Sequence, residues 1–270
     1  MGTDSIVKKV GKLPGKTVAV FAGVHGNEKV GILTLDKFIK ELEIESGIAY
    51  FVYANPPAIE KNVRMVDKNL NRLFFRENTG DTYEDKRAVE LMDILDECEA
   101  LLDLHSYNSE SGDQFAITEE NGYDLVSKMD FPIVASGFSN LGGGTDGYMH
   151  KKGKIGICIE CGTTNKHESF LGLAENSIYQ FLQYFGCIEK RVEYSNVSQR
   201  HLRVKEIISK KNDNFRFSKE FRTFDLLPAG EPFMFDGDVQ RTALNNECIL
   251  FPQPKTKVGD DAGIIGEFID

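Results

Sequence analysis

The stretch 17–22, TVAVFA, is a continuous run of apolar and β-branched residues that ends at Gly23. A run without polar alternation is typical of a central strand that is buried on both faces. Apolar residues then recur at helical spacing over 28–42, and the following GIAYFVYANPP predicts a second strand that stops before Pro56. The chain therefore contains a β-α-β unit, which favours the α/β class.

The same alternation continues to about residue 185. We predict a helix over 83–97, a buried strand over 100–104, short strands in QFAIT and PIVAS, a strand in IGICIECG and a helix over 169–185. The polar stretch 55–81 and the glycine-rich LGGGTDGY predict loops, and the first is long enough to be functional. This order of elements indicates a mostly parallel or mixed sheet flanked by helices, with ligands at the carboxyl ends of the strands.

The sequence pattern changes after about residue 188. Short extended runs such as HLRVKEIIS, FRFSKEF and EPFMF are separated by the turn signals PAG, DG and PQP. We therefore predict an α/β domain over 1–188 and a smaller β-rich domain over 189–270. Periodicity leaves open whether the later strands form a barrel or pack on the first sheet.

The formal net charge of -10 argues against a nucleic-acid partner, because such binding depends on cationic neutralisation of phosphates. No stretch approaches the roughly 18 consecutive apolar residues of a membrane span, and no signal-peptide pattern is visible, so we expect a cytoplasmic protein. The five cysteines are expected to be reduced thiols. Cys158 and Cys161 form a lone CxxC, which is a weak zinc or redox signal, and their role stays open.

Three residues of the types that bind zinc follow predicted strands. His25 and Glu28 lie in GVHGNE after the first strand, and His105 lies in DLHS after another. Two imidazoles and one carboxylate are a common ligand set of catalytic zinc. Three protein ligands leave the fourth coordination position of the ion open for water. We predict one Zn²⁺ per chain at these residues. The alternative is that His25 caps a turn, Glu28 starts a helix where the helix dipole favours an acid, and His105 merely ends a strand.

The predicted loop NVRMVDKNLNRLF concentrates Arg64, Asp67, Asn69, Asn71 and Arg72 among apolar residues. The guanidinium group of arginine suits a carboxylate or a developing oxyanion, and asparagine adds directional hydrogen bonds. The candidates for substrate binding are therefore Asn69, Asn71 and Arg72. Arg64 is a candidate for catalysis. Alternatively, the arginines pair with surface acids.

Glu160 lies inside the apolar strand IGICIECG. A buried carboxylate is costly unless it is paired or lies near a metal ion. Near the carboxyl end of its strand, this residue is a candidate general base that deprotonates water and later protonates a leaving amine. A structural salt bridge is the alternative.

The motifs GVHGNE, NP, VRxxDxNLNRxF, DLH and the IEcG strand follow one another over about residues 17–165. In this order they resemble the succinylglutamate desuccinylase/aspartoacylase family of the zinc carboxypeptidase-like superfamily, whose domain layout the β-rich tail also matches. The resemblance implies a carboxypeptidase-like α/β catalytic domain with a C-terminal β domain. It also implies zinc held by His25, Glu28 and His105, a general base at Glu160, a carbonyl-polarising Arg64, and Asn71 with Arg72 on a substrate carboxylate.

The activity implied is that of an amidohydrolase that removes the acyl group of a small N-acyl amino acid, with no covalent intermediate. A metallocarboxypeptidase acting on short peptides and a catalytically silent metal-binding scaffold are the two alternatives. The oligomeric state is open, with a homo-oligomer as one possibility.

The sequence departs from aspartoacylases where that group has an arginine for the second carboxylate of aspartate. The corresponding stretch here is YMHKKGKIG, in which His150, Lys151 and Lys152 are candidates to replace it, unless the substrate has no second carboxylate. The late tyrosine of aspartoacylases is also missing, since no tyrosine follows Tyr194. We therefore do not expect aspartoacylase activity itself.

Overall fold

The computed structural model describes residues 5–107 and 113–269. Strands and helices alternate as far as the sixth helix, and strands predominate after it. The strands are β1 Ile6–Val10, β2 Leu13–Ala22, β3 Ser46–Tyr53, β4 Ala100–Tyr107, β5 Phe115–Thr118, β6 Ile133–Ser136, β7 Ile155–Thr163, β8 Arg200–Ser209, β9 Arg216–Phe217, β10 Pro232–Asp236, β11 Val239–Thr242, β12 Glu247–Leu250 and β13 Asp261–Phe268. The helices are α1 Lys29–Glu41, α2 Pro56–Lys61, α3 Tyr83–Glu97, α4 Tyr123–Val126, α5 Thr145–Lys151 and α6 Leu171–Tyr184.

Within the described residues, the main sheet has the strand order β1-β3-β2-β4-β7-β5-β6-β8-β13-β12. The central strands β3, β2, β4 and β7 are parallel, and α1 and α3 lie on the crossovers that parallel pairing requires. Both β1 and β5 pair antiparallel with their neighbours β3 and β7. This mixed sheet with flanking helices confirms the predicted α/β class.

The central strands are buried on both faces by different helices. Residues such as Leu104 of β4 pack on one face with α1 and α6, whereas Leu101 packs on the other face with α3 and α5. Successive side chains of a strand point to opposite faces. The side chain of His105 therefore lies on the face that carries α3 and α5. None of the helices in the described part of the chain is long and apolar enough to cross a membrane.

The later strands divide between two sheets. The edge of the main sheet is extended by β8, β13 and β12, while β9, β10 and β11 form a separate three-stranded sheet. A further apolar cluster, including Phe217, Phe233 and Ile265, joins the small sheet to β13. Pairing of β6 with β8 carries the main sheet across residue 188, so the division into two domains at that residue stays a prediction.

Two predicted loops contain helices, and in that respect the predictions are wrong. Within 55–81, α2 begins at Pro56, where a missing N–H costs nothing, and the Asn55 side chain caps it by accepting from the Ala58 amide at 3.4 Å. In LGGGTDGY only the glycines form a turn, and α5 begins directly after them at Thr145. In both places turn-forming residues precede a short helix that the sequence pattern does not show.

Candidate metal centre and active site

The structure brings His25, Glu28 and His105 together as one buried cluster, which we call the His–Glu–His cluster. His25 follows β2, Glu28 immediately precedes α1, and His105 lies inside β4 rather than after it. The Nδ1 atom of His25 is 2.7 Å from Oε1 of Glu28, and the Nδ1 atom of His105 is 2.9 Å from Oε2. One ligand atom from each residue lies within 4.8 Å of the others.

Strand pairing and a tight turn produce this convergence. The last residue of β2, Ala22, is the register partner of Leu104, which places the end of β2 beside His105. The turn that carries His25 then passes directly against α2, because a Cβ atom on Gly26 would lie 2.1–2.3 Å from backbone atoms of Ala58 and the next residue. Only glycine permits that approach.

The carboxylate of Glu28 accepts hydrogen bonds on several sides. Besides the two imidazoles, the Ser106 amide donates to Oε2 at 3.1 Å, and a guanidinium nitrogen of Arg64 lies 3.4 Å from Oε1. Burial alone would raise the pKa of Glu28, but His25 and His105 outweigh it and hold the pKa well below its ordinary value. Burial also lowers the pKa of His25, which favours the neutral imidazole that binds metal ions.

The donor set fits a divalent transition metal. Two imidazoles and a carboxylate form the protein part of many catalytic zinc sites, and all three groups here are buried and aim their donor atoms at one another. A cation among them would offset the burial of a charged carboxylate. The chemistry of the cluster therefore agrees with the predicted ligands.

Glu160 lies next to this cluster on the same face of the sheet. It is the register partner of His105 in the parallel pair of β4 and β7. Its Oε2 atom is buried and has no hydrogen-bond partner among the described residues. Burial raises the pKa of Glu160 to about 8; Glu28 and Asp103 add to the increase, while His105 and Arg64 oppose it. Within residues 5–107 and 113–269 no salt bridge explains this buried acid.

The loop 64–72 reaches the cluster at two points. The guanidinium of Arg64 contacts Glu28, while half of the Arg64 side chain remains exposed. The Oδ1 atom of Asn69 lies 3.0 Å from Nε2 of His25. Of the four loop residues predicted to take part in catalysis or substrate binding, the structure thus places Arg64 and Asn69 directly against the His–Glu–His cluster.

The other predicted substrate residues lie around the cluster rather than in it. Asn71 accepts from the Thr145 amide at 3.2 Å, and Arg72 lies 3.3 Å from a carboxylate oxygen of Asp261, at the start of β13. This last contact matches the alternative in which the arginine pairs with a surface acid. His150 is exposed in the last turn of α5, and its role in substrate binding stays a prediction.

Sequence reasoning missed Asp103 and Thr145. Asp103 is buried two residues before His105, and its Oδ2 atom lies 3.1 Å from Nε2 of His105. The hydroxyl of Thr145 donates to the same Oδ2 atom at 2.6 Å. An acid inside the apolar stretch ALLDL is the same signal that identified Glu160, so Asp103 could have been found; nothing in the sequence marks Thr145.

The cysteines are all free and buried, as expected of reduced thiols. Cys161 packs in the cluster that α1 and α6 cover, whereas Cys158 packs in the cluster on the opposite face of the sheet. The two thiols of the CxxC pattern therefore point apart and do not form a common site.

Comparison with known proteins gives one match to a family model. The model for the succinylglutamate desuccinylase/aspartoacylase catalytic domain matches residues 14–184. The chain is similar to succinylglutamate desuccinylase of Vibrio cholerae, with 27% identity over 283 residues that cover 93% of the chain and 80% of the relative. It is 35% identical to aspartoacylase of Xenopus tropicalis over 131 residues, which cover 43% of the chain and only 42% of the relative.

Solved structures share the fold. The crystal structure of succinylglutamate desuccinylase from Vibrio cholerae superposes with a TM-score of 0.81 at 20% identity, covering 97% of this chain and 85% of that one. The product-bound ectoine utilization protein of Ruegeria pomeroyi gives a TM-score of 0.72 at 17% identity, covering 98% and 96%. At these identities the likeness concerns the fold alone.

Proposed function

The chain belongs to the succinylglutamate desuccinylase/aspartoacylase family, and from this membership and the geometry of its site we propose that it hydrolyses the amide bond of an N-acyl amino acid. The observation that carries the proposal is the placement of Glu160 in register with His105, beside the His–Glu–His cluster. A carboxylate beside a metal-type donor set is a combination that suits metal-assisted hydrolysis, because it can exchange protons with the water and the leaving group.

The proposed cofactor is one Zn²⁺ held by His25, Glu28 and His105. When bound, the ion would supply a Lewis acid that polarises the amide carbonyl and makes water more acidic. The protein provides the buried donor atoms and, through Asn69 on Nε2 of His25, a partner that orients one of the imidazoles.

Glu160 is the proposed general base and acid. Its carboxylate would take a proton from the attacking water as the new C–O bond forms, and would give that proton to the amine nitrogen as the C–N bond breaks. A pKa of about 8 suits both transfers, and the Oε2 atom has no hydrogen-bond partner in the described part of the chain that would oppose them. The half-exposed guanidinium of Arg64 would stabilise the oxyanion that develops on the carbonyl.

The proposed anchor for the substrate is its free carboxylate. Arg72 and Asn71 would bind this group, since a guanidinium pairs with a carboxylate through two parallel hydrogen bonds. The partner of Arg72 in the structure, Asp261, is partly exposed, so exchange for a substrate carboxylate costs little. His150 would contact a second carboxylate only in a dicarboxylic substrate.

The test is hydrolysis of a panel of N-acetyl, N-formyl and N-succinyl amino acids, with short peptides alongside, by zinc-loaded protein and by a chelated control. Chelator-sensitive release of one amino acid is the expected result. Cleavage of peptides in preference to acyl amino acids would indicate the carboxypeptidase alternative. Zinc binding without any turnover would indicate the silent scaffold.

A further inference from the structure

The glycine-rich turn at residues 142–144 lies against the backbone of the 64–72 loop. Gly142 and Gly143 have φ values of +79° and +76°, which glycine adopts most readily. A Cβ atom on Gly143 would lie 2.4–2.6 Å from backbone atoms of Arg72, and the Gly143 carbonyl accepts from the Phe74 amide at 3.2 Å. The turn therefore fixes where the end of the loop lies.

Thr145 follows this turn as the first residue of α5 and is completely buried. It makes two hydrogen bonds in different directions. Its backbone amide donates to Oδ1 of Asn71 at 3.2 Å, and its hydroxyl donates to Oδ2 of Asp103 at 2.6 Å. The same oxygen of Asp103 lies 3.1 Å from Nε2 of His105, a charge contact without hydrogen-bond geometry, so Thr145 is linked to the His–Glu–His cluster through Asp103.

The contact with Asp103 matters because that carboxylate has few other partners. Asp103 is fully buried, and its Oδ1 atom has no hydrogen-bond partner among the described residues. A buried carboxylate is costly unless donors reach it, and the Thr145 hydroxyl is the closest donor to Asp103 among the described residues. The carboxylate in turn faces one nitrogen of His105, whose other nitrogen faces Glu28.

We propose that Thr145 is a positioning residue that links the His–Glu–His cluster to the 64–72 loop. The Thr145 hydroxyl holds the Asp103 carboxylate in place, and Asp103 in turn orients the His105 ring as a metal ligand. The Thr145 amide holds Asn71 in the 64–72 loop. Loss of such an outer partner typically lowers metal affinity by about 10-fold to 100-fold. This inference rests on the proposed function, because it assumes that the cluster binds a metal ion.

The first experiment measures the Kd of zinc on metal-free protein by competition with a chromophoric chelator. Thr145→Val removes the hydroxyl but keeps the shape and the backbone amide, so we expect the zinc Kd to rise about 10-fold or more, with KM little changed at saturating zinc. Thr145→Ser restores the hydroxyl and should return the Kd to within about twofold of wild type. Thr34→Val, which removes a buried hydroxyl bonded to the Val30 carbonyl within α1, is the matched control and should leave the Kd unchanged.

The second experiment distinguishes the effect of the 64–72 loop on substrate binding from the effect of His105 on zinc binding. Gly143→Ala must displace the backbone of Arg72, so we expect a raised KM with an unchanged zinc Kd. Gly153→Ala is its control, because Gly153 has a similar φ of +71° but open space where the Cβ atom would lie. Circular dichroism and thermal unfolding show that each variant is folded; if Thr145→Val does not fold, Thr145→Ala takes its place.

A zinc Kd in folded Thr145→Val equal to that of wild type would overturn the inference. An equal loss of affinity in Thr34→Val would also overturn it, since the effect would then be one of general stability. If the wild type binds zinc but hydrolyses no substrate, the proposed function is refuted, but the comparison of zinc Kd values still tests the role of Thr145. A wild type that binds no zinc would refute both.

Discussion

Glu160 and His105 are register partners on adjacent parallel strands, and their side chains lie on the same face of the sheet. Neighbouring strands are about 4.8 Å apart, so a side chain on one strand can reach a group bound by a residue of the other strand without any loop movement. The rigid sheet, rather than a flexible segment, thus sets the distance between the candidate base and a candidate metal ligand. Such placement favours a fixed reaction geometry.

Glu160→Gln should abolish turnover while zinc still binds. Glutamine keeps the size of the side chain but cannot accept the proton from water, and loss of a general base costs about 100-fold to 10,000-fold in kcat. The measurement is kcat on the acyl amino acid found in the panel, together with the zinc Kd. Substantial residual activity would show that another group is the base.

Zinc should stabilise the wild type but not a variant that lacks one ligand. At a concentration of about 100 times Kd, binding contributes about 2.7 kcal/mol to the free energy of unfolding. We expect a rise of several degrees in Tm for wild type and for His167→Ala, whose histidine lies outside the cluster, and almost none for His105→Ala. Equal rises in all three proteins would place zinc elsewhere.

The stability of the C-terminal part should depend on pH through Glu247, which is fully buried against Arg241 and Lys205. Burial alone would raise the pKa of Glu247, but these partners outweigh it and hold the pKa at about 2. Because this value lies below the ordinary one, the ionised pair stabilises the fold above about pH 4.5, and the contribution is lost as the pH falls towards 2.

Glu247→Gln should therefore lower the free energy of unfolding at pH 7 by about 3 kcal/mol, from the size of the pKa shift. Urea unfolding at pH 7, 4 and 3 gives the difference between wild type and variant, which should shrink as the pH falls. Glu60→Gln, at an exposed position on α2, is the control and should change stability by less than about 0.5 kcal/mol. A difference that does not vary with pH would refute the assignment.

The sequence predicts the parts of the site that local patterns encode. Apolar runs locate β2, β4 and β7, and an acid or histidine within or directly after such a run departs from the pattern, as His105 and Glu160 do. Because parallel strands bring these positions to one edge of a sheet, the sequence pattern suffices to group the three metal-type residues.

Contacts between distant segments could not be predicted in the same way. Thr145 reaches Asp103 only because α5 packs on the face of the sheet that carries His105, and the packing of a short helix leaves no periodic signal. The pairing of β6 with β8, which carries the main sheet into the C-terminal part, likewise depends on which edge is free once the other strands have paired.

Arg72 and Asp261 lie 189 residues apart in the chain, yet the Nη2 atom of Arg72 is 3.3 Å from Oδ2 of Asp261. If Arg72 binds the substrate carboxylate, Asp261 competes with the substrate for it. Asp261→Asn should then lower KM by up to about fivefold, since a partly exposed ion pair contributes about 1 kcal/mol at most. Arg72→Lys should raise KM about 10-fold or more, because an ammonium cannot form the paired hydrogen bonds. Asp260→Asn is the neighbouring control, and unchanged KM in both Arg72→Lys and Asp261→Asn would remove Arg72 from substrate binding.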